Sequence, residues 1–192
     1  MAKRNLFTAP KLNWLEECQG MNLFEVIKNR RSIRTFKKQE LPQETINHLI
    51  EAALLAPSAG NAQSWAFVIV SEQATKQALA KAAGQKSLEE ASVVFVVCAD
   101  EKRAKQSYGN RGKDLYCLQD TAAATENIIL TACSLGLGTC WVGAFKEDEV
   151  KKIIKAPKEM RPVIMIPVGY PNESPPARSR RPASEVVFKE SF

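Results

Sequence analysis

Apolar residues along the chain follow two different patterns, a helical spacing and short continuous runs. Between residues 42 and 54 the apolar residues recur at the i, i+3, i+4, i+7 and i+8 spacing of one buried helix face. These residues are Ile46, Leu49, Ile50, Ala53 and Leu54. Continuous apolar runs at Trp65–Val70 and residues 93–99 predict strands, the second of them fully buried. The two signals alternate without a linker or an internal repeat, which predicts one domain that contains both helices and strands.

Residues that favour helix ends and further apolar stretches predict the other helices. Asn22 is a suitable N-cap for a short first helix, and Ser71 for a later one that Gly84 ends. The inner face of the first helix is expected to carry Leu23, Phe24 and Ile27. Residues 115–135 are apolar through their middle, which predicts a helix buried on most sides. Residues 147–154 are predicted to form one more short helix.

Three segments have a less regular pattern. Residues 100–114 are polar and contain two glycines, which predicts a mobile loop or lid. Residues 162–170 read as a strand whose prolines favour an edge position or a bulge. The proline-rich tail, residues 171–192, contains one strand-like run at 185–188. Such a tail has little to pack on by itself, so it is expected to lie along another surface, a partner subunit being one candidate.

The composition excludes several classes of protein. A length of 192 residues with 45% hydrophobic content suits one globular domain, and the longest apolar run is far shorter than the roughly 20 residues of a membrane-spanning helix. The five cysteines form no Cys-x-x-Cys pair, and the single histidine argues against both a zinc site and a histidine-based triad. The odd number of cysteines and the lack of a secretory leader pattern predict a cytoplasmic protein without a metal.

The net charge of +6 is unevenly distributed along the chain. Residues 1–38 carry +6, residues 39–154 carry −3 and residues 155–192 carry +3. A basic protein suggests nucleic acid, but the interleaved aromatics of a nucleic-acid surface are missing. Two short arginine clusters, at 30–34 and 178–181, instead have the size for one small anion, because forked guanidinium groups hold a phosphate bidentately. A plain solvated basic surface is the alternative for each cluster taken alone.

Three separated segments together resemble one family. The first motif is NRRSIRTF (residues 29–36), the second is APSAGNAQSW (residues 56–65) and the third is GLGTCWVGAF (residues 136–145). In order and spacing they are similar to the motifs of the FMN-dependent nitroreductases. The resemblance covers residues 21–192 as a single FMN-binding domain and leaves residues 1–20 as an N-terminal extension.

The resemblance implies an α+β fold with three α/β/α layers and a mostly antiparallel central sheet. It further implies an intertwined homodimer with an exchanged C-terminal tail and with FMN at the subunit interface. Arg30, Ser32 and Arg34 match the positions that hold the flavin phosphate, with Arg31 beside them. The tail pair Arg178 and Arg180 matches a second basic group that reaches the same phosphate.

The remaining site residues implied by the resemblance surround the flavin ring. The partner subunit would supply the second motif, and the third motif and one glutamine would contact the ring and its pyrimidine edge. The matching positions are Pro57, Ser58, Ala59, Asn61, Gln85, Gly138 and Thr139. Trp141 and Phe145 are expected to be core aromatics rather than ligands.

The activity that the resemblance implies depends on the cofactor. NADH or NADPH would reduce flavin N5, and a nitroaromatic, a quinone or a similar small acceptor would then take the electrons in a ping-pong cycle, with no catalytic side chain. Two alternatives stay open. One is another reaction on the same fold, dehalogenation or flavin fragmentation, with a lid that carries Tyr108, Arg111 and Lys113. The other is a binding module without enzymatic activity, for flavin, nucleotide or nucleic acid.

Overall fold

Four strands form an antiparallel sheet in the order β1-β2-β4-β3 in the computed structural model, which describes residues 22–192. They are β1 (Trp65–Val70), β2 (Val93–Asp100), β3 (Gly138–Thr139) and β4 (Met160–Gly169). β1 and β2 lie where the continuous apolar runs predict them. The predicted N-terminal extension and Cys18 lie outside the described residues.

Seven α-helices surround this sheet within residues 22–192. They are α1 (Leu23–Asn29), α2 (Gln43–Leu54), α3 (Gln73–Ala83), α4 (Ser87–Glu90), α5 (Glu101–Arg111), α6 (Cys117–Ser134) and α7 (Glu147–Ile153). A π-helical turn, Gly112–Tyr116, joins α5 to α6, and short 3-10 turns occur at Ala59–Asn61 and Ala183–Glu185. No helix in this part of the chain is both long and apolar enough to cross a membrane.

The strand β2 divides the hydrophobic core into two layers. Because successive side chains of a strand point to opposite faces, Phe95 packs on one side with α2 and α6. Val94 and Val96 pack on the other side with α3, α4 and α7. The predicted three-layer α/β/α arrangement with a mostly antiparallel sheet is thus confirmed.

The helix predictions hold best where the apolar period is long. On α2, Ile46, Leu49 and Ala53 are buried as the spacing predicts and Ile50 is partly buried, but Leu54 is exposed, so the prediction is wrong at that residue. The helix α3 ends at Gly84 in a left-handed conformation with φ +62°, but its N-cap is Glu72 rather than the predicted Ser71. The predicted inner face of α1 is wrong, since Leu23, Phe24 and Ile27 are 68, 73 and 50% exposed. Val26 is the buried residue of that helix.

The predicted loop at residues 100–114 is helical. Asp100 ends β2 and caps α5, because its side chain accepts a hydrogen bond from the backbone N–H of Arg103 at 2.9 Å. The helix is interrupted at Tyr108 and Gly109, where Gly109 has φ +59°. The polar composition of this segment reflects a solvated helix face and not the absence of regular structure.

The strand β4 is central and not at an edge, although the predicted bulge is present. β4 pairs with β2 on one side and with β3 on the other, and its register shifts between Val97 and Cys98 of β2, beside Pro162. Pro167 is tolerated because the β3 side of β4 is short. On that side Met165 exchanges two backbone hydrogen bonds with Val142, both of 2.9 Å. Because backbone N–H directions alternate along a strand, the nitrogen of Pro167, which has no hydrogen to donate, points to the same side.

The tail does not form the strand predicted at residues 185–188. Its regular structure is the turn Ala183–Glu185, and Val186, Val187 and Phe188 are exposed. A strand requires a neighbouring strand for its backbone hydrogen bonds, and none of the described residues of the same chain supplies one here.

Candidate functional site

The first and third motifs are joined through their backbones. The N–H of Ile33 donates to the Thr139 carbonyl at 2.8 Å, and Ser32 forms a parallel bridge with Thr139. The contact is so close that a Cβ atom at Gly138 would lie 2.8 Å from the Cβ of Ile33. Glycine at position 138 is therefore required for the two motifs to meet.

Two guanidinium groups of the first motif lie at this junction without a counter-charge. Within residues 22–192 the side chains of Arg30 and Arg34 have neither a hydrogen-bond acceptor nor a salt-bridge partner. Both groups lie near the buried thiol of Cys140, where Ser32 is also present. Two unpaired cations and a hydroxyl at one place are suited to bind an anion.

Two thiols, the buried Cys140 and the half-buried Cys133, lie near the charges of this cluster. Burial raises the pKa of Cys140, and Arg34, Arg30 and a hydrogen bond from Ser32 oppose that rise. Burial also raises the pKa of Cys133, opposed by Arg30 and Arg31. The positive charges therefore converge at the end of the sheet where β3 lies.

Arg31 has a different position from its neighbours. Its Nη1 donates to the carbonyls of Lys28 and Arg30 at 2.8 and 2.9 Å, which are groups at the C-terminal end of α1. This guanidinium satisfies carbonyls that a helix end leaves without partners. The structure thus separates Arg31, as a helix cap, from Arg30 and Arg34.

The tail pair is not brought to the cluster within one chain. Arg178 and Arg180 are exposed, and the guanidinium of Arg180 donates only to the carbonyls of Arg178 and Ser179 among the described residues. A cleft of about 200 Å³ beside the cluster is instead lined by Arg30, Thr139 and Glu173, among others. The role of the tail pair stays a prediction.

A buried carboxylate, which the sequence reasoning missed, supports the second motif. Asp120 is 5% exposed and lies in the first turn of α6. Its Oδ1 accepts from the backbone N–H of Ala59 at 2.9 Å, and its Oδ2 accepts from the Ser64 hydroxyl at 2.6 Å. An aspartate at the start of an otherwise apolar helix is the only local signal that points to this role.

Residues 58–62 of the second motif form a tight turn and are exposed or half-buried, whereas Ala56 and Ser64 on either side are buried. Gly60, Asn61 and Gln63 all have positive φ, and Ser58 Oγ accepts from the N–H of Gln63 at 2.9 Å. A Cβ atom at Gly60 would lie 2.2 Å from the hydroxyl of Tyr108, which projects from the interruption in α5. Gly60 thus leaves room for the Tyr108 side chain, and the contact of this turn with a flat ligand stays a prediction.

The second motif lies at the opposite end of the sheet from the other two motifs. It leads into Trp65, which pairs with Ala99, whereas Gly138 pairs with Gly169 beside the start of β2. The eight residues of β2 separate the two ends by about 24 Å. One chain therefore brings the first and third motifs together and keeps the second away from them.

Gln85 and the third-motif aromatics occupy different surroundings. Gln85 is half-buried between α3 and α4, where its N–H donates to the Ala80 carbonyl at 3.0 Å. Phe145 packs against the core as predicted, but Trp141 is 42% exposed, so the prediction of a core aromatic there is wrong.

We expect Asp120→Ala to destabilise the chain by about 1–3 kcal/mol, because the N–H of Ala59 and the Ser64 hydroxyl lose their buried acceptor. Asp120→Asn retains one acceptor oxygen and gains a donor group, so a smaller loss of stability is expected. Urea denaturation measures the free energy of unfolding of both variants, with the exposed Asp114→Ala as a matched control. Equal stability of Asp120→Ala and Asp114→Ala would contradict the anchoring role.

Comparison with known proteins gives a consistent result. The Nitroreductase family profile matches residues 27–90 and 81–170. A protein of Archaeoglobus fulgidus whose name carries both NADH dehydrogenase and NAD(P)H nitroreductase is 36% identical over 165 residues, 83% of this chain and 88% of that protein. FMN reductase (NADPH) of Bacillus subtilis is 30% identical over 185 residues, 89% of this chain and 74% of that protein. The solved structure of NADPH:FMN oxidoreductase from Vibrio harveyi with NAD+ superposes with a TM-score of 0.82 at 26% identity, covering 88% of this chain and 77% of that one. The chain belongs to the nitroreductase family.

Proposed function

We propose that this protein is an FMN-dependent NAD(P)H oxidoreductase that acts as a homodimer. The unpaired guanidinium groups of Arg30 and Arg34 beside Ser32 carry the proposal, because they form a site for one phosphate at the junction of the first and third motifs. The names of the similar proteins, an FMN reductase and an NADPH:FMN oxidoreductase, support the same cofactor and reductant.

The residues at the junction fit FMN. Arg30, Ser32 and Arg34 would hold its phosphate, and the backbone of Gly138 and Thr139, which joins the third motif to the first, would lie along its ring. Pro57, Ser58, Ala59 and Asn61 would contact the ring from the partner subunit. When bound, FMN would supply the redox chemistry that passes a hydride equivalent from NADH or NADPH to a nitroaromatic, a quinone or a similar acceptor, which implies a ping-pong cycle.

The protein's own part in this reaction would be to bind the flavin and to orient its ring. The guanidinium groups balance the phosphate charge, and backbone N–H groups near the ring would stabilise negative charge that develops there. None of the residues named at the site is required to transfer a proton.

The separation of the motifs supports a homodimer. Because about 24 Å of β2 lies between the second motif and the junction, a site that uses all three motifs needs a second chain. Apolar side chains exposed on α1 and at the end of α2 supply a surface for that chain. They are Leu23, Phe24, Ile27, Leu54 and Leu55.

An open sheet edge supports exchange of the tail. β1 pairs only with β2 among the strands of residues 22–192, and its partly buried Phe67 and Ile69 line a cleft of about 1660 Å³. We propose that the partner's residues 185–188 lie along this surface, which would place the strand-like run next to a strand. The same exchange would carry Arg178 and Arg180 towards the partner.

The central experiment is anaerobic spectroscopy of the purified protein. We expect a yellow protein with flavin absorption that NADPH or NADH bleaches and that a nitroarene or a quinone restores. A colourless protein that takes up no added FMN would contradict the proposed cofactor. A yellow protein that neither nicotinamide bleaches would favour a binding module.

We expect Arg30→Ala and Arg34→Ala each to weaken FMN binding by about 1.5–3 kcal/mol, the scale of one charge-assisted hydrogen bond. Arg31→Ala is the matched control, because it removes the same charge from a guanidinium that caps α1. Titration of the apoprotein with FMN measures all three. Unchanged FMN affinity of Arg34→Ala would refute the phosphate assignment.

We expect Val187→Asp to weaken the dimer and to reduce FMN content, because a carboxylate replaces an apolar side chain in the exchanged segment. Ser191→Asp adds the same charge outside the run at 185–188. Sedimentation velocity over a range of concentrations measures the dimer. Equal dimerisation of the two variants would remove the support for tail exchange.

A further inference from the structure

The chain that follows β4 runs beside the first motif. The N–H of Lys37 donates to the Tyr170 carbonyl at 2.9 Å, and the N–H of Asn172 donates to the Thr35 carbonyl at 3.0 Å. Phe36 and Pro171 form a bridge between these two contacts. The two segments therefore lie together as a short irregular ribbon, and the first motif is attached on its far side to Thr139 of β3.

A side chain completes this attachment at the end nearer the cluster. Oε1 of Glu173 accepts the backbone N–H of Arg34 and, at 3.2 Å, that of Thr35. The carboxylate thus satisfies two donors in a segment that belongs to neither a helix nor a named strand. A carboxylate that accepts backbone N–H groups makes stronger hydrogen bonds than a neutral acceptor does.

The carboxylate holds the backbone of Arg34 without neutralising its side chain. No salt bridge joins Glu173 to a guanidinium among the described residues, although Glu173 and Arg34 both lie near the thiol of Cys140. Glu173 therefore does not neutralise the positive charge of Arg34, while it holds the backbone from which that side chain extends. A carboxylate that competed with an external anion would instead lie on the guanidinium.

We propose that Glu173 is a positioning residue for the flavin phosphate and that it sets the preference of this protein for FMN over riboflavin. By holding the Arg34–Thr35 backbone, it keeps the Arg34 guanidinium beside Arg30 and Ser32, so that three groups act on one phosphate. The inference rests on the proposed FMN site. It adds a residue from the segment after β4, outside the three motifs.

The test compares FMN with riboflavin, since the two ligands differ only in the phosphate. Apoprotein is titrated with each flavin, and quenching of flavin fluorescence gives the two dissociation constants. For Glu173→Ala we expect FMN binding to weaken at least about tenfold, while riboflavin binding changes by less than about twofold. Glu173→Gln keeps an acceptor oxygen and is expected to retain FMN affinity within about threefold of the parent protein.

Two further variants complete the design. Glu173→Asp keeps the charge but shortens the side chain, so we expect it to lose FMN affinity as Glu173→Ala does, and it carries the test if the alanine variant does not fold. Glu190→Ala removes a carboxylate from an exposed tail position and is expected to leave both flavins unaffected. Thermal unfolding of each apoprotein verifies the fold.

The outcomes separate the two proposals. If the parent protein binds FMN and riboflavin equally, or if Arg34→Ala leaves FMN binding unchanged, the phosphate site itself is wrong. If Arg34→Ala weakens FMN alone but Glu173→Ala does not, the positioning role is wrong and the phosphate site stands. Equal weakening of both flavins by Glu173→Ala, or tighter FMN binding, would also overturn the positioning role, since it would indicate a general structural effect or a competing charge.

Discussion

The length of one buried strand governs how this molecule can build a site. β2 lies between two hydrophobic layers and pairs with β4 along its whole length and with β1 over residues 94–99, so it cannot shorten without loss of the core. The helix α6 spans the same distance, with Asp120 at one end and Cys133 at the other, about 20 Å apart along its axis. The second motif and the cluster of Arg30, Ser32 and Arg34 are therefore fixed at opposite ends of the sheet within one chain.

Backbone contacts hold the first motif, which carries Arg30, Ser32 and Arg34, in its place. Thr139 holds the first motif from one side, and Glu173 with Asn172 holds it from the other. Gly138 has no side chain, which permits this approach. Among residues 22–192 the guanidinium groups of Arg30 and Arg34 have no hydrogen-bond acceptor or ion-pair partner, and an anion is the ligand that such groups attract.

Several wrong expectations have one physical origin. The apolar residues of α1 are expected to form an inner face, yet Phe24 is exposed. The apolar run at 185–188 is predicted to be a strand, but Val187 is exposed and no strand of residues 22–192 pairs with this run. A pattern indicates which face of an element is apolar, but it does not indicate what covers that face. Trp141 is another apolar side chain that nothing in the same chain covers among residues 22–192. Exposed apolar groups at these places support the proposal that a second chain packs there.

Local pattern by itself determined the elements of the core and the chemistry of the candidate site. Spacing and end residues are local signals, so α2, α6, β1 and β2 were predictable, and two arginines with a serine indicated a phosphate. Only the tertiary structure decided that the first and third motifs meet within one chain and that the second lies far from them. It also decided that Asp120 holds the second motif and that Glu173 holds the first. Those contacts join residues 61 and 139 positions apart, and pairings over such distances leave no mark in the periodicity of a single sequence.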